Sequence, residues 1–77
     1  MNTVYIGNGI QVVRKEAQMT QQELADKLGI PRPLLSYYEN GRSIPDYQLV
    51  VSMAEALGCT VGDLYRPAIL ELIRKAS

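Results

Sequence analysis

The sequence predicts an all-α fold: a compact five-helix bundle with one further helix at the C-terminus. Three observations carry this. Apolar residues recur at helical spacing, as at Ile6, Ile10, Val13 and Ala17, which stand at i, i+4, i+7 and i+11. Helix-start and helix-stop residues punctuate the chain at short intervals. No run alternates apolar and polar residues in the manner of a half-buried strand. The 77 residues suit a single domain over 1–77, with no internal repeat, linker or low-complexity tract.

The first helix runs from about residue 6. Gly7 and Gly9 weaken its first turn, so its start is expected nearer Asn8, with a short extended arm through Val4 and Tyr5 as the alternative. Thr20-Gln-Gln-Glu23 is a capping box that opens the second helix. Leu24, Ala25 and Leu28 face inward there, and Gly29 closes it in a left-handed conformation. A third helix is expected over about 32–39, with Leu35 and Tyr38 inward and Asn40-Gly41 as its stop. The residue before a proline avoids the α region, so Arg32 is expected as the cap and Pro33 as the first helical residue. Asp46 caps a fourth helix carrying Leu49, Val50, Met53, Ala54 and Leu57, which ends at Gly58. Thr60 caps a short fifth helix through Leu64. Pro67 then opens a last helix over 67–76, where Ile69, Leu72, Ile73 and Ala76 share one face and Leu70 widens it.

Composition narrows the function. Eight basic and eight acidic residues balance, so no strong field draws in nucleic acid or an anionic membrane. The single Cys59 can form no internal disulfide, and with no histidine there is no zinc set; Cys59 reads as a small buried residue ahead of a helix cap. No cofactor or metal is expected, and no catalytic constellation is visible. The N-terminus lacks the pattern of a signal peptide and no apolar run reaches 18 residues, so a cytoplasmic protein without membrane contact is expected.

Residues 20–40 hold the functional motif. Two short helices joined by Leu28-Gly29-Ile30-Pro31 suggest a helix-turn-helix: Ala25 is small where the helices cross, Gly29 permits the sharp turn, and Ile30 plugs the space between them. The remaining surface of the second of these helices is then free to enter a major groove.

The linked run TQQELADKLGI, LLSYYENGRSIP and LVVSMAEALGCTVGDLY resembles the Cro/XRE-type repressor domain, the phage-repressor class of helix-turn-helix, over roughly residues 6–65. The resemblance implies a five-helix DNA-binding domain that acts as a dimer on a palindromic operator. It places Arg32, Pro33 and Tyr37 at base edges, with Ser36 beside them. It places Gln21, at the start of the second helix, on phosphate, and Asn40, Arg42 and Ser43 in the loop that grips the backbone. It pairs Arg14 with Glu39 in a partly buried salt bridge. The family commonly carries polar side chains at the two prolines of this chain, and glycine where Gln18 stands. Proline offers a base only an apolar surface, which leaves Arg32 and Tyr37 as the main readers; Gln18 is expected in a left-handed conformation.

Two functions compete. The first is a sequence-specific transcriptional regulator, a repressor on double-stranded DNA. Residues 20–45 carry Lys27, Arg32 and Arg42 against Glu23, Asp26 and Glu39, a net charge of zero, so one protomer binds weakly and two half-sites are needed. The C-terminal helix, through Ile69, Leu72 and Ile73, is the expected homodimer interface. The second is a protein-interaction module, such as an antitoxin or accessory regulator with weak DNA binding, served by Val12, Tyr37 and the C-terminal apolar face.

Overall fold

Helix ends set the frame of the molecule. The computed structural model describes residues 6–76 and holds five helices: α1 Gly7–Glu16, α2 Gln21–Leu28, α3 Arg32–Glu39, α4 Tyr47–Leu57 and α5 Val61–Ala76. The arm considered for Val4 and Tyr5 lies outside the described residues. No strand occurs among those described.

Side-chain caps start three of the helices. Thr20 and Glu23 form both halves of a capping box, at 3.0 and 2.9 Å. Asp46 Oδ1 accepts from the Leu49 amide at 2.8 Å. Thr60 and Asp63 form a second reciprocal box ahead of α5, at 3.0 and 3.1 Å. These bonds satisfy amides that the first helical turn leaves without internal partners.

The ends of α1 to α4 share one geometry, with Gln18, Gly29, Gly41 and Gly58 left-handed, and the first two ends show it with different residues. After α2, Gly29 lies at φ 68°, the Ile30 amide donates to Ala25 O, and the Gly29 amide donates to Asp26 O. After α1, Gln18 lies at φ 56°, the Met19 amide donates to Arg14 O, and the Gln18 amide donates to Lys15 O. Both are Schellman closures. The left-handed conformation costs glycine little, whereas a residue with a Cβ gives up about 1–2 kcal/mol. Gln18 holds it because α1 must turn sharply into the motif.

Ile6, Ile10, Leu24, Ala25, Leu35, Val50, Met53, Ala54 and Leu64 form one buried core drawn from every helix. Leu28, Tyr38 and Leu57 pack on it half-buried. Ala17, expected on the inner face of α1, is exposed and is the C-cap of that helix.

Two boundaries differ from expectation. Pro31, not Arg32, is the N-cap of α3: its φ of −65° and ψ of 142° are extended, and Leu34 and Leu35 both donate to its carbonyl. Arg32 is therefore the first helical residue and Pro33 the second. The two prolines frame a turn whose amides need no internal partner.

The larger correction concerns Pro67. It does not begin a new helix but lies inside α5, which is continuous over Val61–Ala76. The fifth and C-terminal helices are one. Proline in a helix removes one hydrogen bond and crowds the carbonyl four residues back. Tertiary packing outweighs that here: Leu64 and Ala68, one turn apart and on either side of Pro67, are both buried. The partner is α1, against which α5 chiefly packs. Gly9 is the crossing point. A Cβ there would stand 1.6 Å from the Leu64 carbonyl oxygen and 3.3 Å from Pro67 Cδ. The glycine that weakens the start of α1 is what lets α5 approach it.

Candidate nucleic-acid interface

The second helix of the motif is held from both ends. Leu35 and Glu39 are its buried residues, one turn apart. Leu35 is apolar core. Glu39 is a carboxylate with a fully buried side chain, and such a charge needs a partner. Arg14 of α1 supplies it: Nε donates to Glu39 Oε2 at 2.7 Å and Nη2 to Oε1 at 3.1 Å. This is the two-pronged geometry that favours arginine over lysine. Arg14 Nη1 also donates to Met19 O at 2.8 Å, which ties the left-handed turn at Gln18 to the same cluster. No buried polar side-chain atom among the described residues lacks a partner.

Gln21 extends the cluster to the surface. Its Nε2 donates to Glu39 Oε1 at 2.9 Å, and its Oε1 accepts from Arg32 Nη1 at 3.3 Å. Gln21 is thus bonded within the protein at both ends of its amide. Arg32 is exposed on the first turn of α3, beside exposed Pro33.

The far end of α3 gathers the other expected residues. Asn40 Nδ2 donates to Ser36 O at 2.8 Å and to Ser36 Oγ at 3.2 Å. The Arg42 amide donates to Tyr37 O at 2.9 Å, which closes the helix. The Arg42 guanidinium lies over the Tyr37 ring, 5.9 Å from its centre, within cation–π range. Tyr37 is 48% exposed while Tyr38 packs half-buried on the core, so the adjacent tyrosines diverge. Ser43 is half-buried in the loop. The structure thus brings Gln21 to Arg32, Ser36 to Asn40, and Tyr37 to Arg42.

Charge on the motif is less balanced at its surface than in its composition. Burial of Glu39 against Arg14 removes one of its three acidic groups from solvent. Of the other two, Glu23 is engaged by Thr20, whose backbone amide and hydroxyl hold its carboxyl below the ordinary value, and Asp26 accepts from Gln22 at 2.8 Å. Arg32, Arg42 and Lys27 remain exposed.

Sequence reasoning missed two groups. Ile44 and Tyr47, on either side of buried Pro45, are 74% and 71% exposed. Their signal was available as large apolar residues that fall outside every helical stripe. Cys59 is free and half-buried, and burial, reinforced by Asp63, raises its thiol pKa.

The Helix-turn-helix family model matches residues 10–64, which takes in α1 from Ile10 onward, α2 to α4, both capping boxes and the Arg14–Glu39 pair. The chain belongs to the helix-turn-helix family, in its Cro/XRE-type branch. Among relatives in that family, Multiprotein-bridging factor 1 of Candida albicans is 42% identical over 55 residues, covering 71% of this chain and 36% of the relative. Repressor protein C of Escherichia phage P2 is 38% identical over 50 residues, covering 65% of this chain and 50% of the relative. This helix-turn-helix chain therefore spans between about a third and a half of those relatives' length. Its fold is similar to the clp gene regulator ClgR of Corynebacterium glutamicum, with TM-score 0.82, 29% identity and 86% of each chain covered. The matched family segment stops at Leu64, so the outer half of α5 lies beyond it.

Proposed function

We propose that this helix-turn-helix protein is a sequence-specific DNA-binding transcriptional regulator of the cytoplasm, a repressor that binds a palindromic operator as a homodimer. The observation that carries this is Arg32: an exposed guanidinium on the first turn of α3, buttressed by Gln21. A two-pronged donor on the first turn of a helix lying in the major groove matches guanine O6 and N7. Tyr37, Pro33 and Ser36 meet neighbouring bases, Pro33 offering only an apolar surface. Gln21, Asn40, Arg42 and Ser43 contact phosphate. The phage P2 relative, a repressor by name, supports the direction of control.

Dimerisation runs through the outer half of α5. Ile69, Leu70 and Ile73 are 44%, 52% and 60% exposed, and Leu72 is half-buried. Paired half-sites offset the few phosphate-neutralising side chains of one protomer.

A second reading, a protein-interaction module, is favoured by the exposed Ile44 and Tyr47 and by the bridging-factor relatives. One experiment separates the two. The chain is incubated with a pool of random duplexes, and the bound fraction is recovered and sequenced. Enrichment of an inverted repeat with half-sites about one helical turn apart supports the regulator. Recovery of no preferred sequence would overturn it.

A further inference from the structure

The closures of α1 to α4 each set two side chains beside one another. In every one, the residue after the left-handed position donates to the carbonyl five residues back: Met19 to Arg14, Ile30 to Ala25, Arg42 to Tyr37 and Cys59 to Ala54. This geometry brings the two residues so joined into side-chain contact. At the ends of α1, α2 and α4 the earlier residue, Arg14, Ala25 or Ala54, is buried, so the closure fastens the chain to the core. The α3 closure instead pairs two exposed residues, Tyr37 and Arg42. The contact between them is that of a cation and a ring, 5.9 Å from guanidinium carbon to ring centre.

No carboxylate competes for Arg42. The acidic residues nearest along the chain are Glu39, whose oxygens Arg14 and Gln21 occupy in the interior, and Asp46, which caps α4. Among the described residues Arg42 forms no ion pair. An aromatic face attracts a cation through its quadrupole, without the acceptor oxygens by which a carboxylate takes up N–H groups. The guanidinium is thus held in place while its charge and donors stay available to an anion.

We infer that Tyr37 is a positioning residue for Arg42: its ring seats the guanidinium against DNA phosphate, and the two side chains act as one backbone contact. This rests on the reading of α3 as the DNA-reading helix. A base contact by the Tyr37 hydroxyl, at the edge of the same ring, is compatible with it. The two roles differ in what they predict. A base reader acts at one base pair, whereas a seat for Arg42 acts alike on all sequences and on the salt dependence.

The test uses the duplex enriched from the random pool and its single-base variants, titrated at several salt concentrations. Binding is measured for the full chain, Tyr37→Phe, Tyr37→Leu, Arg42→Ala and Tyr37→Leu combined with Arg42→Ala, each checked for folding by thermal melting. Tyr37→Phe keeps the ring and should keep the salt slope. Tyr37→Leu keeps apolar bulk without the ring. It is expected to weaken every duplex by roughly two- to fivefold, the range of an exposed cation–π contact. It should also lower the salt slope, by up to the single unit, or about that, which one phosphate contact supplies. In the Arg42→Ala background Tyr37→Leu should bring no further even loss. Should Tyr37→Leu fail to fold, Tyr37→Met serves the same comparison. A salt slope unchanged by Tyr37→Leu, whether or not discrimination falls at one base pair, would overturn the inference and leave the proposed function standing. So would a slope lowered as far by Tyr37→Phe, or an even loss that adds fully to that of Arg42→Ala. If the unaltered chain enriches no duplex, both fall together.

Discussion

The helix-turn-helix, residues 20–42, and the outer half of α5, residues 69–76, use surface in opposite ways. In the motif the exposed side chains are mostly polar, and many are held by a neighbour: Gln21 with Arg32, Ser36 with Asn40, Arg42 over Tyr37. Side chains already ordered lose less entropy when they meet a ligand. In outer α5 the prominent groups are apolar, and Ile69, Leu70 and Ile73 stand between 44% and 60% exposed. Its polar groups pair along the helix itself, Glu71 with Arg74 and, at 3.8 Å, with Lys75. Exposed pairs of that kind contribute little. The motif is built to present hydrogen bonds, and outer α5 to present area.

The largest expected effect lies under the motif. Glu39→Ala strands the Arg14 guanidinium in the interior, and removal of one member of a buried pair costs about 3–5 kcal/mol. Chemical denaturation of the variant should show a loss of that order. A loss below about 1 kcal/mol would mean that the pair does not anchor α3.

In outer α5, Ile69→Ser with Ile73→Ser should leave the protomer's stability nearly intact. Full burial of one isoleucine is worth about 1.5–3 kcal/mol, and roughly half of each side chain remains to be covered. Over four side chains in a dimer, the dissociation constant should rise by roughly a hundredfold or more. Sedimentation over a concentration series measures it. An unaltered monomer–dimer equilibrium would remove outer α5 as the interface.

Between the two regions lies the crossing of α1 with α5. Gly9→Ala places a methyl group against backbone, at 1.6 Å from Leu64 O, and should cost about 1–3 kcal/mol as the helices part. Gly62→Ala meets only Thr60 Oγ1, at 3.7 Å, and should stabilise by up to about 1 kcal/mol. Thermal melts of both check the contrast.

The fold was legible wherever the signal is local. The Thr20–Glu23 box and the Gly29 turn are read from consecutive residues, and the structure has both. Pro67 misled because its cost is local while the compensation is not. Leu64 and Ala68 keep α5 continuous through it only because α1 passes at Gly9, some 55 residues earlier in the chain. The site divides in the same way. Arg14 with Glu39 was suggested by family resemblance, not by spacing. The Gln21–Arg32 bridge spans 11 residues and depends on the angle between two helices, which no periodicity encodes.

At the DNA surface Arg32→Ala and Arg42→Ala should part company. Loss of Arg32 should remove about 1–3 kcal/mol of discrimination at one base pair per half-site. Loss of Arg42 should weaken all duplexes alike and lower the salt slope by about one per contact removed. Titrations at several salt concentrations on the enriched duplex and its variants measure both. A salt slope unchanged by Arg42→Ala would remove it from the phosphate set.

The smallest effect concerns the two capping boxes, one opening the motif and one opening α5. The Thr20 backbone amide, then its hydroxyl, hold Glu23 below the ordinary carboxylate value, and Thr60 does the same for Asp63. Each native carboxyl therefore binds a proton less readily than it does in the unfolded chain. Through that window the unfolded state carries more protons, so stability rises with pH. The contribution is complete above the unfolded carboxylate range and disappears as pH falls through the lowered native values. Glu23→Gln keeps an acceptor for the Thr20 amide but removes the titration. The unaltered protein should be slightly the more stable at pH 7, and the two should converge in acid, a difference that denaturation curves from pH 7 down to about 2 resolve. Both groups are exposed, so the effect is small and screened by salt. A gap between the two proteins that stays constant across that range would show that Glu23 supports α2 through its shape and hydrogen bond alone, with no part played by its charge.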